Sequence, residues 1–232
     1  MKRQRMHGQA MVEFLIIIPV LIILIFAAIQ IGFIYSAKNG LNYATFQAAR
    51  LGALNSAQYS DMRRGLLRGM YPMFSQFPEN ERMEQTALEV DNFVMITRIS
   101  PSTDMFSAFE EDHDDLLGDG ESRPAIPNSN LMYHQNEEGG PNLQDANLLK
   151  IRVQYCMRLI VPMVDNLLSS ASSFSNRQTS GNFRQISRET TSEYDVTCRG
   201  RRGFVISSEA TVRMQSPAAY DQDYCGTRMI CP

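Results

Sequence analysis

Only three histidines and no tryptophan occur in 232 residues. With His7, His113 and His134 as the whole supply, histidine-based catalysis and multi-histidine metal sites are poorly provided for. Positive charge is also short: 22 Lys+Arg face 25 Asp+Glu, a net of −3, which leaves no excess to neutralise a phosphate backbone and removes nucleic acid from the expected partners. There is no Gly-x-Ser-x-Gly elbow, no P-loop, no dinucleotide fingerprint and no CxxC pair. Enzymatic activity and a bound cofactor are therefore not expected. Neither is wholesale disorder, since 44% of the chain is hydrophobic and 20% charged. The length suits one ordinary domain with an appendage.

The appendage is at the start. Residues 14–34 read FLIIIPVLIILIFAAIQIGFI, with Gln30 the one strongly polar member. As a helix rising 1.5 Å per residue they reach about 30 Å, the depth of a bilayer core. Lys2, Arg3 and Arg5 precede the run, and Glu13 is the only acid before residue 36. Beyond that point acids outnumber bases by five. This asymmetry predicts a cytoplasmic N-terminus, a transmembrane helix over residues 9–35 and a domain on the far side of the inner membrane. A cleaved secretory signal fits poorly, because the apolar run continues past its weak Ala27–Ala28 site. A plain signal anchor accounts for charge and length but leaves Glu13, costly at the membrane edge, without a reason.

Gly8-Gln9-Ala10-Met11-Val12-Glu13-Phe14 sets a glycine at the end of a short basic leader, residues 1–8, and a glutamate five positions beyond it. This resembles the type IV prepilin signal of the Flp type, in which a prepilin peptidase cuts after the glycine on the cytoplasmic side. The resemblance implies cleavage between Gly8 and Gln9, recognition through Glu13 and the aromatic Phe14, and a helix bend at Pro19. Glycine suits such a cut, because a chain without a side chain enters a narrow cleft. Proline removes one backbone donor from the helix. Glu13 would pair with the free amine of a neighbouring mature subunit, offsetting the burial of both charges.

After the membrane run, residues 36–55 (SAKNGLNYATFQAARLGALN) have apolar side chains at helical spacing, with Leu41, Ala44, Ala48 and Leu51 on one stripe. They predict an amphipathic stem, followed by a second helix over 61–71 capped by Ser60 and ended by Pro72, within a unit of residues 36–72. GQAMVEF, the proline-containing apolar run and then Ala48-Ala49-Arg50 together resemble the TadE-like family of minor pseudopilins, with TadF-like relatives not separable on this segment. The resemblance implies a non-enzymatic part of a Flp/Tad (type IVb) pilus machine used in adhesion and biofilm formation. Its implied partners are the prepilin peptidase, other pilins or pseudopilins, the inner-membrane Tad assembly platform and the lipid bilayer. A permanently anchored periplasmic binding module, never processed as a prepilin, is the alternative.

The remainder, 73–232, predicts a periplasmic α+β domain. Strands are expected over 92–99, 149–159 and 204–215. The last two alternate, with Leu149, Ile151, Val153, Tyr155, Met157 and Leu159 inward on one and Ile206, Ala210, Val212 and Met214 inward on the other. One wet face favours an antiparallel sheet, packed under the long helix in a pilin-like arrangement. A further helix is expected over 163–168 after Pro162. Residues 110–147 and 175–203 look like long irregular loops.

EEDHDDLLGDGE, residues 110–121, invites a calcium loop, but Leu116 stands where an oxygen ligand is needed, and a solvated acidic loop is the better reading; no metal site is assigned. The basic sets Arg63/Arg64/Arg68 and Arg199/Arg201/Arg202 read first as solvated faces. Lipid headgroups for the former and an acidic partner for the latter are the alternatives. Cys156, Cys198, Cys225 and Cys231 all follow the membrane run, and an even number there predicts two disulfides. Three connectivities exist. Cys156–Cys198 with Cys225–Cys231 is preferred, because the second closes a short loop and the first ties a strand to the irregular segment.

Overall fold

A computed structural model describes residues 7–129, 131–133, 142–161, 197–198, 200–201, 203–221, 223–226 and 228–232. The basic residues ahead of His7, the helix expected at 163–168, most of 175–203, Arg199 and Arg202 lie outside the described residues. The fold is α+β: one long N-terminal apolar helix followed by a small sheet.

Helix α1 runs unbroken from His7 to Leu54, with Pro19 inside it. Its outer part turns back at residues 55–58 into α2 (Tyr59–Met70), which packs antiparallel along the stem. Glycine makes this contact close. A Cβ on Gly65 would lie 2.6 Å from Ala48 Cα, and one on Gly69 would fall on Ala44 Cα. Ala44/Ala48 and Gly65/Gly69, each four residues apart, thus form two facing stripes of small side chains. Leu41, Ala44, Ala48, Ala49 and Ala53 of the stem are fully or almost fully buried there, with Met62, Leu66 and Met70 of α2.

Ser60 does not cap α2. The helix starts two residues earlier than expected, at Tyr59, whose N–H donates at 2.8 Å to Asp221 Oδ2, a carboxylate 162 positions away in sequence. A tertiary contact thus takes over the role of a local cap. At its other end α2 passes into a 3-10 turn, Tyr71–Phe74, with Pro72 in its first positions.

Helix α3 (Glu79–Phe93) leads into β1 (Val94–Ser100), then α4 (Thr103–Phe109), the hairpin β2 (Glu111–Asp114) and β3 (Ser122–Ile126), and α5 (Leu143–Ala146). Long strands β4 (Leu148–Arg158) and β5 (Gly203–Arg213) follow, then the two-residue strands β6 (Ala218–Ala219) and β7 (Met229–Ile230). The main sheet has the order β5-β4-β1-β7, antiparallel except for the parallel β1/β7 pair. A second sheet, β2-β3-β6, is antiparallel. The inward residues expected of β4 are all buried under the α1–α2 layer, and those of β5 are buried or half-buried.

Three expectations change. Residues 110–147 are not a continuous irregular loop: they hold β2, β3 and α5, the last opened by a capping box between Asn142 and Asp145. Cys156 lies on the outward side of β4 yet is fully buried, because its bond to Cys198 brings the chain ahead of β5 over it. Arg201 is not a solvated turn residue. It forks onto Glu89 of α3 at 2.6 and 2.7 Å, with its guanidinium 3.9 Å from the Phe93 ring centre. Burial, with the Glu89 charge, pushes the Tyr155 hydroxyl well above its usual range.

Arg98 stands on the core face of β1, opposite Ile151, and is fully buried. The rings of Phe106 and Tyr220 enclose its guanidinium at 4.7 and 5.4 Å. Burial pulls its pKa down to about 10, against the opposing pull of Tyr220 and Asp221.

Arg63 and Asp91 join α2 to α3 through two 2.6 Å bonds. The Arg63 hydrogen bond holds the Asp91 carboxyl below its usual value, with partial burial opposing. A carboxyl depressed in the folded state stabilises above its unfolded pKa, about 3.9, and that contribution disappears as pH falls through the folded value. Acid titration of the melting temperature should therefore show a fall below pH of about 4, and the fall should be shallower in Asp91→Asn.

Candidate functional site

The candidate site is α1 itself. Gly8 and Gln9 lie in its first turn, Glu13 just beyond on the exposed surface, and Phe14 is 60% exposed. Nearly every large apolar side chain from Met11 to Ile29 is exposed, so this stretch has no covering layer of its own. By length and composition it is the one helix among the described residues that could cross a membrane. Pro19 removes the donor that would serve the Leu15 carbonyl.

Gln30, the one strongly polar residue of the apolar run, ties α1 to the domain. It is completely buried, and its Oε1 accepts from Val161 N at 3.0 Å and Ile160 N at 3.3 Å, just past the end of β4. The amide oxygen, costly in hydrocarbon, is thereby satisfied by backbone donors of the domain, while Nε2 is buried without a partner among the described residues. From Glu13 to Gln30 the helix axis advances about 26 Å, close to the bilayer core thickness.

Beyond Gln30 the helix has two faces. One is sealed by α2 and the sheet. The other carries Tyr35, Asn39, Tyr43, Phe46 and Arg50, all exposed. At 100° per residue these five fall within a sector of about 80°. Tyr35, Tyr43 and Phe46 are each at least half exposed, which makes an aromatic stripe continuous with the bare apolar segment. In the sequence these aromatics stand eight and three residues apart, a sparser pattern than the small-residue stripe on the buried face.

A second concave feature lies at the outer end of α2, a cleft of about 510 Å³ lined by Tyr59, Ser60, Arg63, Arg64, Leu67, Asp91, Tyr224 and Arg228. Gly65 sits against Ala48, so Arg63 and Arg64 stand about 20 Å beyond the end of the apolar run at Ile34. That is more than two Debye lengths at physiological salt and too far for a headgroup contact. The lipid reading of Arg63 and Arg64 is thus replaced by an ion pair with Asp91 and one with Asp61.

The acidic segment folds as the β2–β3 hairpin. Asp115 Oδ1 accepts from Gly120 N at 2.7 Å within its turn, and Arg123 pairs with both Asp119 and Glu121. Among the described residues no group of three or more His, Cys, Asp or Glu is placed to hold a metal. The cysteines form two bonds, Cys156–Cys198 and Cys225–Cys231.

No curated protein and no solved structure matches the chain. A family model described as TadE-like protein matches residues 8–50, from the glycine in the first turn of α1 to the last exposed residue of the aromatic stripe. Over that segment, the bare helix and its stem, the chain is similar to TadE-like proteins.

Proposed function

We propose that this chain is a minor pseudopilin of a Flp/Tad (type IVb) pilus, cut between Gly8 and Gln9 by a prepilin peptidase and required for pilus assembly in adhesion and biofilm formation. The observation that carries the reading is the single helix α1. It bears the TadE-like match, begins with Gly8 and Glu13, spans a bilayer bare, and continues outward with one aromatic face uncovered. Such a helix suits lateral packing against the helices of other pilins or pseudopilins and against the inner-membrane assembly platform. The N-terminus lies in the cytoplasm and the α+β domain in the periplasm, as the basic leader and the acidic remainder favour.

Each part of the chain has a role in this reading. The first turn of a helix has unsatisfied N–H groups and frays readily, so the Gly8–Gln9 bond is open to a peptidase that binds extended chain. Removing the leader deletes Lys2, Arg3 and Arg5, which hold the subunit at the cytoplasmic surface. It also frees an amine for the Glu13 of a neighbour. The domain acts as a binding body and performs no catalysis.

The test is the N-terminal residue and intact mass of the membrane-extracted protein, with and without the prepilin peptidase. A chain starting at Gln9 only when the peptidase is present is the expected result. Glu13→Ala should insert normally and leave pili unassembled. An uncut chain in both strains, with Glu13→Ala assembling normally, would leave a permanent anchor carrying a periplasmic binding module.

A further inference from the structure

We infer that the cleft at the outer end of α2 receives the acidic β2–β3 hairpin of a second copy of this chain standing in the same membrane. The inference rests on single-pass anchoring, which makes neighbouring copies parallel, and goes beyond the pilus reading in naming the surfaces that meet.

The cleft lining holds three cations, Arg63, Arg64 and Arg228, against one carboxylate, Asp91, while Asp61, outside the lining, pairs with Arg64 at 3.0 Å. Asp91 orients two of the three. Its carboxylate takes Arg63 through Nε and Nη2, and its backbone oxygen accepts from Arg228 Nη1 at 3.4 Å. Because a guanidinium is a planar fork, binding Asp91 through Nε and Nη2 turns Arg63 Nη1 away from that carboxylate. Arg64 is 61% exposed and Arg228 is exposed. Tyr59 and Tyr224, stacked at 4.9 Å, form an aromatic wall beside these groups. An opening of this size with convergent guanidinium groups suits a short carboxylate-bearing segment.

The chain carries such a segment. Residues 110–121 hold seven acids, of which Arg123 engages Asp119 and Glu121 among the described residues. Glu110, Glu111, Asp112 and Asp114 are exposed along one arm of a hairpin whose outer strand, β2, pairs only with β3 among the described residues. Four extended residues project it about 13 Å.

Height decides between a neighbour and a lipid. β3 is tied through Ala125 to Ala219, whose N–H donates to Ser56 O at the outer end of α1. The cleft begins three residues on, at Tyr59, and extends down α2 as far as Leu67. The anchored end of the hairpin and the cleft therefore lie within about two helical turns of the same level, some 20 to 30 Å beyond Ile34. Parallel copies bring the hairpin base of one to the level of the cleft of the next, within the reach of the projecting arm. Because different surfaces meet, the contact is heterologous, and it propagates along a row of subunits instead of closing a symmetric dimer.

The experiment uses the full chain in the membranes of its expressing cells, with a photoreactive benzophenone amino acid at Ser60, on the cleft rim. Irradiation should give a covalent dimer, with the adduct mapping to residues 110–121 of the second copy. Arg64→Glu with Arg228→Glu should lower the dimer yield at least tenfold, and so should Glu111→Lys with Asp112→Lys. Combining all four should restore it to within threefold of the original. An adduct within the same chain, on lipid or on another protein would overturn the inference, as would a dimer yield indifferent to both charge reversals. The N-terminal residue is read on the same samples. A cut chain without dimer sinks this inference alone, and an uncut chain with dimer sinks the pseudopilin reading alone.

Discussion

Replacing Gly69 with valine should lower the melting temperature of the detergent-solubilised chain by about 10 °C, with Gly65→Val close behind. Both glycines lie inside α2, where alanine or a larger residue would ordinarily improve helix stability by up to about 1 kcal/mol. Here the sign reverses. A Cβ at Gly65 would stand 2.6 Å from Ala48 Cα, 2.7 Å from Gln47 O and 2.8 Å from Ala48 N, all backbone atoms of the opposing helix. No rotamer relieves a clash with backbone, so α1 and α2 must separate. That opens the contact between the stem and the buried Met62, Leu66 and Met70. Overpacking of this kind costs about 3 kcal/mol, and a domain of this size loses about 2–4 °C per kcal/mol. Gly32 is the control: a Cβ there meets nothing within 4 Å and the position is interior to α1, so Gly32→Ala should not lower the melting temperature and should raise it by about 4 °C at most. Equal melting of Gly65→Val and the unmodified chain would mean that the two helices are not held at this distance. Parting them would also tilt the domain on its stem, since the Asp221 bond to Tyr59 fixes the start of α2 to the C-terminal segment.

The second large effect comes from the Cys156–Cys198 bond. On the chain-entropy account, a bridge spanning 42 positions stabilises by about 4 kcal/mol, whereas the Cys225–Cys231 bridge, spanning 6, contributes about 2. Cys156→Ser with Cys198→Ser should therefore melt about 12 °C lower than the unmodified chain. A glycine gives an independent check. A Cβ on Gly203 would fall on Cys156 Sγ and lie 3.0 Å from Cys198 Sγ, so Gly203→Ala should displace the bond and reproduce much of the loss. The bridge fastens the end of β4 to the chain that enters β5, which is why both long strands depend on it. Should the double serine variant melt within 2 °C of the unmodified chain, the β4/β5 ladder would be sufficient without the bridge.

These two expectations, with the cleft and the buried glutamine, show where the sequence was readable. The apolar run, the alternation of β4 and β5 and the small-residue stripe of the stem were all legible, because each is a local period repeated over many residues. The even cysteine count beyond the membrane run announced the bridges. The resemblance at Gly8–Glu13 was visible for a different reason: it lies in linear sequence and not in a period, and the TadE-like match covers the same segment.

What escaped has no such period. Helix α3 buries only Thr86 and Val90, so it shows no apolar stripe, and its purpose appears only when Glu89 meets Arg201 and Asp91 meets Arg63. β2 is charged and exposed along most of its length and looked like a loop. β6 and β7 are two residues each and exist only because a neighbouring strand is there to pair with. The start of α2 was assigned to Ser60 because a sequence shows local caps, whereas the group that serves it arrives from Asp221. Sequence alone thus determined the long apolar helix and the two long strands, through periodic burial and local backbone preference. Tertiary structure alone decided which charges are paired, where α2 begins and what the acidic and basic segments face. A charged side chain takes its partner from whatever the fold brings within hydrogen-bond reach, and no local pattern records that distance.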